Sequence, residues 1–297
     1  MGWKQMQQVN GVNTVPVERH RSGKRIPLGT LFMYVCLTLW ALTTIYPMFW
    51  IINNSFKLST DVMNDSFSIA LSPVLTNYET AFDRINIGKA YANSLIMSGA
   101  TVLLVLVCGG LAAYVLSRFK FRGRNALSSL LVATLLIPAF ATVVPVYELL
   151  IEWGLVNKYW GLILPHTAGN LTFAILVMTA YMATIPKELE EAAFIDGCNR
   201  FNMFTRIFMP IARPVFASAS IFVFLWSYND LFSALIFVNK ENVRPIVALL
   251  NEISSQYGTD FGLMASAVSL TVVPVLIVYL FIQKYIEKGM TEGAVKG

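Results

Sequence analysis

Charged residues are scarce in this chain of 297 residues. Asp, Glu, Lys and Arg together make up 13% of it, against about a quarter in a typical soluble domain. Hydrophobic residues make up 56%. This composition excludes an ordinary soluble domain and predicts an integral membrane protein.

Histidine and cysteine are also rare. The chain has two His and three Cys, and Cys36, Cys108 and Cys198 lie far apart in the sequence. A disulfide framework or a zinc site needs such residues at short, regular spacings. We therefore expect no disulfide, no metal site and no redox chemistry.

A nucleotide-binding loop is missing as well. Such a loop needs two glycines five positions apart followed by Lys and Ser or Thr, so that backbone N–H groups cradle the phosphates. Gly23-Lys24 and Gly88-Lys89 lack both the upstream glycine and the hydroxyl residue. Ser, His and Asp are scattered without the spacing of a nucleophile, base and orienting group. We expect no catalytic residue and no cofactor.

Long uncharged runs are what the sequence does have. Each is close to the roughly 20 residues that cross a bilayer as a helix. The sequence therefore predicts an all-α polytopic membrane protein with six transmembrane helices, over residues 28–52, 93–116, 127–147, 159–185, 215–238 and 261–282. Between the first two runs, residues 57–89 are predicted to form an external loop with a little helix, anchored by Asn77-Tyr78.

The basic residues indicate the topology. Sixteen of the 22 Lys and Arg residues lie in four segments, and six lie in the other three loops. Basic residues accumulate on the cytoplasmic side, which puts the basic-rich segments there: residues 1–27, 118–125, 184–214 and 284–297. The run from Arg118 to Arg124 also alternates with aromatics, as in sites for nucleic acid or lipid head groups. We favour the interpretation that this run marks the cytoplasmic end of a transmembrane helix, and we expect no nucleic-acid partner.

The segment 186–210 is polar within an otherwise apolar chain. Pro186 suits the first turn of a helix, and Leu189, Ala192, Ala193 and Asp196 then share one side. Gly197 is expected to end that helix. A second helix follows, with an apolar side of Phe201, Phe204, Ile207 and Phe208, and runs until Pro210. The alternative is an ordinary amphipathic surface loop.

The spacing of Glu-Ala-Ala, Asp-Gly, Phe, Ile and Pro in this segment resembles the cytoplasmic coupling loop of ABC importer permeases. The sequence departs from that family only at Cys198, usually alanine, and Met209, usually leucine. The resemblance implies that the segment docks on an ATPase, with Glu191 pairing with a basic group there and Gly197 making the turn. The matching coupling residues are Glu191, Ala192, Ala193, Asp196, Gly197, Phe204, Ile207 and Pro210.

The last fourteen residues resemble the ends of carbohydrate-uptake permeases of the maltose type. The match is Gly289-Met-Thr-Glu-Gly293-Ala-Val-Lys-Gly297, with Met290 in place of leucine. In those relatives the tail reaches between two ATPase subunits, which implies that Gly293 and Lys296 contact the ATPases in an extended tail. The alternative is a frayed terminus. Permeases for amino acids or phosphate share the coupling loop, so the tail is what indicates sugar.

The resemblance implies a complete importer. Its parts are a second, homologous permease that forms a heterodimer with this chain, two ATP-hydrolysing subunits and an extracytoplasmic solute-binding protein. It implies the cytoplasmic membrane of a bacterium or archaeon, with lipid around the spans. The domain organisation is a cytoplasmic tail over 1–27, a six-span permease domain over 28–283 with the coupling loop at 186–210, and a cytoplasmic tail over 284–297.

Polar residues within two of the spans are candidates for the translocation path. Trp226, Tyr228, Asn229 and Asp230 combine aromatic, amide and carboxylate groups, which is how proteins hold sugars. They either line the path or tie the fifth span to a neighbour. His166 is either a proton relay or, as we prefer because its own span has no acid, a packed and hydrogen-bonded histidine.

Two other classes of protein compete with the importer permease. An ion-coupled secondary transporter needs ionisable relays within the membrane, for which Asp230 and His166 are thin support. A membrane-embedded enzyme needs a catalytic constellation at the membrane surface, and the sequence contains none that we recognise.

Overall fold

The computed structural model describes residues 28–249, 251 and 260–294, and all regular secondary structure in them is helical. The chain forms two compact units, residues 1–48 and residues 49–297. In the first unit, residues 28–48 are one helix whose side chains are mostly exposed. The second unit holds the buried clusters described below. The predicted cytoplasmic segment 1–27 lies outside the described residues.

Thirteen helices are labelled in chain order. They are α1 Leu28–Ser55, α2 Ser59–Asn64, α3 Thr76–Ile85, α4 Ile87–Arg118, α5 Arg124–Thr134, α6 Ala139–Glu152, α7 Trp160–Ala183, α8 Lys187–Ile195, α9 Arg200–Met203, α10 Met209–Ile211, α11 Arg213–Asn229, α12 Leu231–Phe237 and α13 Phe261–Ala294. A π-helical turn, Phe204–Phe208, joins α9 to α10, and a 3₁₀ turn, Glu241–Val243, follows α12. Residues 246–249 are also helical.

Three helices, α1, α4 and α7, are long and apolar enough to cross a membrane. Two bent pairs qualify if each pair is one span: α5 with α6, at 100°, and the segment from α9 to α10 with α11, at 79°. By length and composition the described residues therefore contain three to five candidate spans, together with the shorter apolar stretch Phe261–Ile277 of α13. The helical fold class is confirmed at this coarser level.

The third apolar run, predicted over residues 127–147, is a broken helix. α5 ends at Thr134, and Leu135–Ile137 make tight turns before Pro138. Pro138 has no N–H to continue the helical ladder and disfavours a helical residue before it. α6 then starts in a new direction, and Pro145 lies inside it without ending it.

The fifth run, predicted as one helix over residues 215–238, is broken at Asp230. There the backbone leaves the helix with φ −76° and ψ 86°. The Asp230 side chain accepts a hydrogen bond from the amide of Ser233 at 3.1 Å and so caps α12. The polar cluster expected inside a continuous helix is therefore a helix end followed by a helix start.

The C-terminal tail is helical where it was expected to be extended. α13 continues from the sixth apolar run through Gly289 and Gly293 to Ala294. Each glycine within a helix costs only about 1 kcal/mol relative to alanine, and no proline interrupts residues 284–294. Lys296 lies outside the described residues.

The external loop predicted over residues 57–89 contains two helices, α2 and α3. At the start of α3, the Asn77 amide group donates to the carbonyls of Ser55, at 3.0 Å, and Lys57, at 2.8 Å. The hydroxyls of Tyr78 and Ser55 lie 2.6 Å apart. The two residues predicted as anchors thus fasten the loop to the end of α1.

α4 lies at the centre of the largest buried cluster. It packs against both α7 and α11, which also contact each other. Small residues allow the close approach: a Cβ at Gly110 would lie 2.7 Å from Cζ of Phe216, and one at Gly109 would lie 3.1 Å from Cε of Met178. The small-residue content of this run predicted packing inside the bundle, as observed.

The Gly110 contact predicts a difference between two glycines of the same helix. Gly110→Val should lower the thermal stability of the detergent-solubilised protein by several degrees, since overpacking a core costs about 1–3 kcal/mol. Gly99→Val is the control, because a Cβ there meets nothing within 4 Å. Melting followed by size-exclusion chromatography measures both, and equal melting temperatures would contradict the close packing of α4 on α11.

Candidate functional site

The hairpin of residues 187–211 turns at Gly197. Gly197 has φ 77°, in the left-handed region that glycine adopts without steric cost. The amide of Cys198 donates to the carbonyl of Ala193 at 3.0 Å, which satisfies a carbonyl at the end of α8. Asn199 then caps α9 by accepting a backbone N–H at 2.8 Å. The two short helices and their turn lie where the sequence predicts them, with Pro186 one residue before the first.

One side of the hairpin is buried. Ala193, Phe204 and Phe208 are 5% exposed or less, and Ile207 packs against the same cluster. Tyr114, near the end of α4, contacts both phenylalanines, with ring centroids 5.4 Å from Phe204 and 4.9 Å from Phe208. The apolar side predicted for the second helix is therefore the side that packs on the bundle.

Pro210 changes the helix type in this part of the hairpin, but the chain stays helical beyond it. Residues Phe204–Phe208 form a π-helical turn, and α10 continues to Ile211. A proline has no N–H to donate to the carbonyl four residues earlier, here that of Arg206. We attribute the π-helical turn to this missing donor.

Arg118 fastens the hairpin to two long helices. From the end of α4, one guanidinium nitrogen donates to the carbonyls of Met182 and Ile185, each at 2.6 Å. Met182 lies in the last turn of α7, and Ile185 lies two residues after its end. The guanidinium also lies 4.6 Å from the ring centroid of Phe208. In the sequence alone, Arg118 indicates only the topology.

A second arginine holds the hairpin together. Nη1 of Arg200 donates to Oε1 of Glu190 at 3.0 Å, and the guanidinium lies 5.1 Å from the ring centroid of Phe119. The Arg200 side chain is 56% exposed, so the ion pair contributes at most about 1 kcal/mol. It joins α8 to α9 across the Gly197 turn.

The other side of the hairpin is exposed. Glu191, Ala192 and Asp196 face outward, and Glu191 takes part in neither of the two ion pairs found in the described part of the chain. Apolar side chains are exposed beside them, namely Phe194, Ile195 and Phe201 at 64%, 84% and 66%. The helical spacing groups Phe201 with Phe204 and Phe208 on one apolar side, but in the structure Phe201 is exposed while the other two are buried.

A cavity of about 700 Å³ opens between α6, α7, α11 and α12. Its polar lining comes from all four of these helices and the break between α11 and α12: Thr142, His166, Asn170, Asn229, Asp230 and Ser233. Its aromatic lining is Phe140, Trp226, Phe232 and Phe237. Trp226 is 46% exposed. Its ring contacts that of Phe173 edge to face, with the ring centroids 4.8 Å apart. Aromatic faces and hydrogen-bonding groups thus surround one space.

His166 and Asp230 form a pair on the wall of this cavity. Nε2 of His166 lies 3.1 Å from Oδ2 of Asp230, and Nδ1 lies 2.8 Å from Oγ of Ser227. The histidine is hydrogen-bonded and buried, as preferred, but its acidic partner comes from another helix, 64 residues away. The pair ties α7 to the break between α11 and α12.

Tyr228 does not join the other three predicted path residues. It lies in a second cavity of about 480 Å³, between α4, α11 and α13, with Tyr91 and Pro274. Trp226, Asn229 and Asp230 line the first cavity. Tyr228 is therefore removed from the candidate path.

Several residues of the cavity were not predicted from the sequence. Asn170 lies one helical turn after His166, and its Nδ2 donates to the His166 carbonyl at 2.7 Å, so the i, i+4 spacing was a usable signal. Phe140 and Thr142 carried no signal, because their approach depends on the break before α6. Within the described residues no group of three or more His, Cys, Asp or Glu is arranged to hold a metal ion.

The family match and the individual relatives of this chain agree on one family. Residues 105–292 match the family described as binding-protein-dependent transport system inner membrane component. The probable ABC transporter permease protein YurM of Bacillus subtilis is 34% identical over 270 residues, covering 91% of this chain and 90% of that protein. The diacetylchitobiose uptake system permease protein NgcG of Streptomyces coelicolor is 34% identical, covering 88% and 87%.

A solved structure supports the same fold. The crystal structure of a bacterial ABC transporter involved in the import of the acidic polysaccharide alginate contains a chain that aligns with a TM-score of 0.75. The alignment covers 86% of this chain and 95% of that one, at 23% identity. Since the family match spans most of the chain and its relatives align over nearly their whole length, this chain belongs to the binding-protein-dependent transport system inner membrane components, the permeases of ABC transporters.

Proposed function

We propose that this chain is the permease subunit of an ATP-driven importer of a sugar or oligosaccharide and forms one half of its translocation pathway. The observation that carries the proposal is that one helix, α7, connects an exposed docking hairpin to a polar, aromatic-lined cavity. The relative named for diacetylchitobiose uptake supports a sugar as the solute.

The proposed topology has six spans, with both termini and the hairpin in the cytoplasm of a bacterium or archaeon. α1, α4 and α7 supply three spans and the bent pair α5 and α6 a fourth. α11 is assigned to the fifth span together with α12, and α9 and α10 are left to the hairpin. The sixth is α13, whose 34 residues exceed the length of a span. The excess of Lys and Arg beside the hairpin and the termini supports this orientation.

The hairpin is proposed to transmit the closure of two separate ATPase subunits. Glu191, Ala192 and Asp196 are available to a partner on its outer side. Its inner side is fixed to α4 and α7 through Phe208 and Arg118. Packed helices shift between discrete arrangements instead of deforming smoothly. A push on the hairpin would therefore move both helices and switch the pathway from inward-facing to outward-facing.

The cavity is proposed as this subunit's part of the sugar path. Trp226 offers a face for the C–H groups of a sugar ring, and Asn170, Asn229 and Asp230 offer hydrogen bonds to its hydroxyls. A second, homologous permease is proposed to complete the pathway, and a solute-binding protein outside the membrane to deliver the sugar. Gly293 and Lys296 are proposed to contact the ATPases, with Gly293 presented on a helix.

Removal of the Glu191 charge tests the docking surface. In the complete transporter reconstituted in vesicles, Glu191→Ala should reduce sugar uptake at least about tenfold, because a buried charged contact at an interface contributes about 2 kcal/mol or more. Glu188→Ala is the control: an exposed glutamate of the same helix. Co-purification of the ATPases and the rate of ATP hydrolysis distinguish lost assembly from uncoupling. Wild-type uptake by Glu191→Ala would rule out its role.

Filling the cavity tests the path. Gly169 lies in α7 on the cavity wall, and a Cβ there meets nothing within 4 Å. Gly169→Leu should therefore fold normally and reduce uptake to less than about a tenth, since the side chain occupies the space proposed for the sugar. Gly99→Leu projects into the second cavity instead and should transport normally. Equal uptake by the two variants would place the path elsewhere.

A further inference from the structure

The charge of the cavity distinguishes between kinds of sugar. Among its lining residues, all within the described part of the chain, there is no Lys or Arg. The ionisable side chains of the lining are His166 and Asp230, which pair with each other at 3.1 Å. The cavity therefore contains an acid without any permanent positive charge.

The hydrogen bonds of His166 fit a neutral imidazole. With its proton on Nε2, the ring donates to Asp230 and accepts at Nδ1 from the hydroxyl of Ser227. Both contacts are satisfied without a second proton, and the cavity then carries the full negative charge of Asp230. If His166 were protonated, the pair would be neutral overall. Neither state makes the cavity positive.

Asp230 is held in place by more than the histidine. Oδ1 accepts from the amide of Ser233 at 3.1 Å, while Oδ2 lies against His166. These two contacts fix the carboxylate at the break between α11 and α12, so it does not rotate away from an approaching anion. An approaching carboxylate is repelled by this fixed carboxylate, and the repulsion grows as the water between the two groups is displaced.

The remaining lining suits an uncharged sugar. Trp226, Phe140 and Phe232 present aromatic surface. Asn170 and Asn229 each use one N–H to bond a carbonyl of their own helix, and each side-chain amide has a further N–H and an oxygen for hydroxyl groups. None of these groups neutralises a carboxylate.

We infer that the substrate is an uncharged saccharide and that this cavity disfavours saccharides containing uronic acids. The inference rests on the proposed sugar path. By this inference, the substrate of this chain differs in charge from that of the structurally similar importer, which takes up the acidic polysaccharide alginate. It agrees with the chemistry of diacetylchitobiose, an uncharged disaccharide named in one relative.

A cysteine placed in the cavity measures its charge. Gly169→Cys is introduced into a chain whose Cys36, Cys108 and Cys198 are replaced by serine, and the complete purified transporter is labelled with methanethiosulfonates. Rates for a cationic and an anionic reagent, read from the mass of this chain, are divided by their rates with a free thiol. We expect at least about a fivefold preference for the cation, which Asp230→Asn should largely remove. Gly99→Cys, in the second cavity, supplies the baseline.

Protection of the same cysteine measures the occupant. Maltotriose, raffinose and diacetylchitobiose serve as uncharged probes, and trigalacturonate serves as the acidic one. At least one uncharged probe should slow labelling several-fold, while trigalacturonate at the same concentration should not.

The outcomes separate the two hypotheses. Protection by trigalacturonate, or a preference for the anionic reagent, would overturn the inference while leaving the sugar path intact. Protection by no saccharide would count against the sugar path itself, and the inference would fall with it.

Discussion

The Arg118 guanidinium makes the contact on which the connection between the hairpin and the membrane helices depends. It donates to two carbonyls at the end of α7 while it lies on the ring of Phe208. These hydrogen bonds stabilise the guanidinium, because a charged group among apolar side chains is costly unless it is hydrogen-bonded. The ends of α4 and α7 and the base of the hairpin are therefore held as one body.

α7, whose C-terminal end accepts hydrogen bonds from Arg118, also forms one wall of the cavity. His166 lies sixteen residues before Met182 in α7, about 24 Å along a straight helix. At its cavity end α7 is bound to the break between α11 and α12 through the pair of His166 and Asp230. A displacement of the hairpin is thus connected to the cavity by one helix that is fastened at both ends, with no flexible element between.

The sequence predicted these two regions unequally. The hairpin is local: its turn follows from Gly197, and most of its buried face follows from helical spacing. Phe201 is exposed although the spacing groups it with Phe204 and Phe208. Ala193 is buried although the spacing groups it with the exposed Ala192 and Asp196. The cavity is not local. Trp226, Asn229 and Asp230 were found because they are polar or aromatic within one apolar run. Tyr228 was wrongly grouped with them, although it lies about 200° around a helix from Trp226. Asp230 pairs with His166 of a helix far away in sequence, and sequence spacing carries no information on such a contact.

Two helix breaks explain where the cavity lies: an interruption at Pro138, which the sequence indicates, and a break at Asp230, which it does not. α6 starts after Pro138, and α12 starts after Asp230, and residues beside both breaks line the cavity. A break leaves backbone N–H and C=O groups without helical partners, which lipid cannot satisfy. Such breaks are tolerated within a membrane only where protein or water supplies the missing hydrogen bonds. Asp230 supplies one of them, to Ser233. At the break before α6, turns within the protein supply others, since the amides of Leu136 and Ile137 donate to the carbonyls of Ala133 and Thr134. The two breaks thus bring Thr142, Asn229 and Asp230 to one cavity.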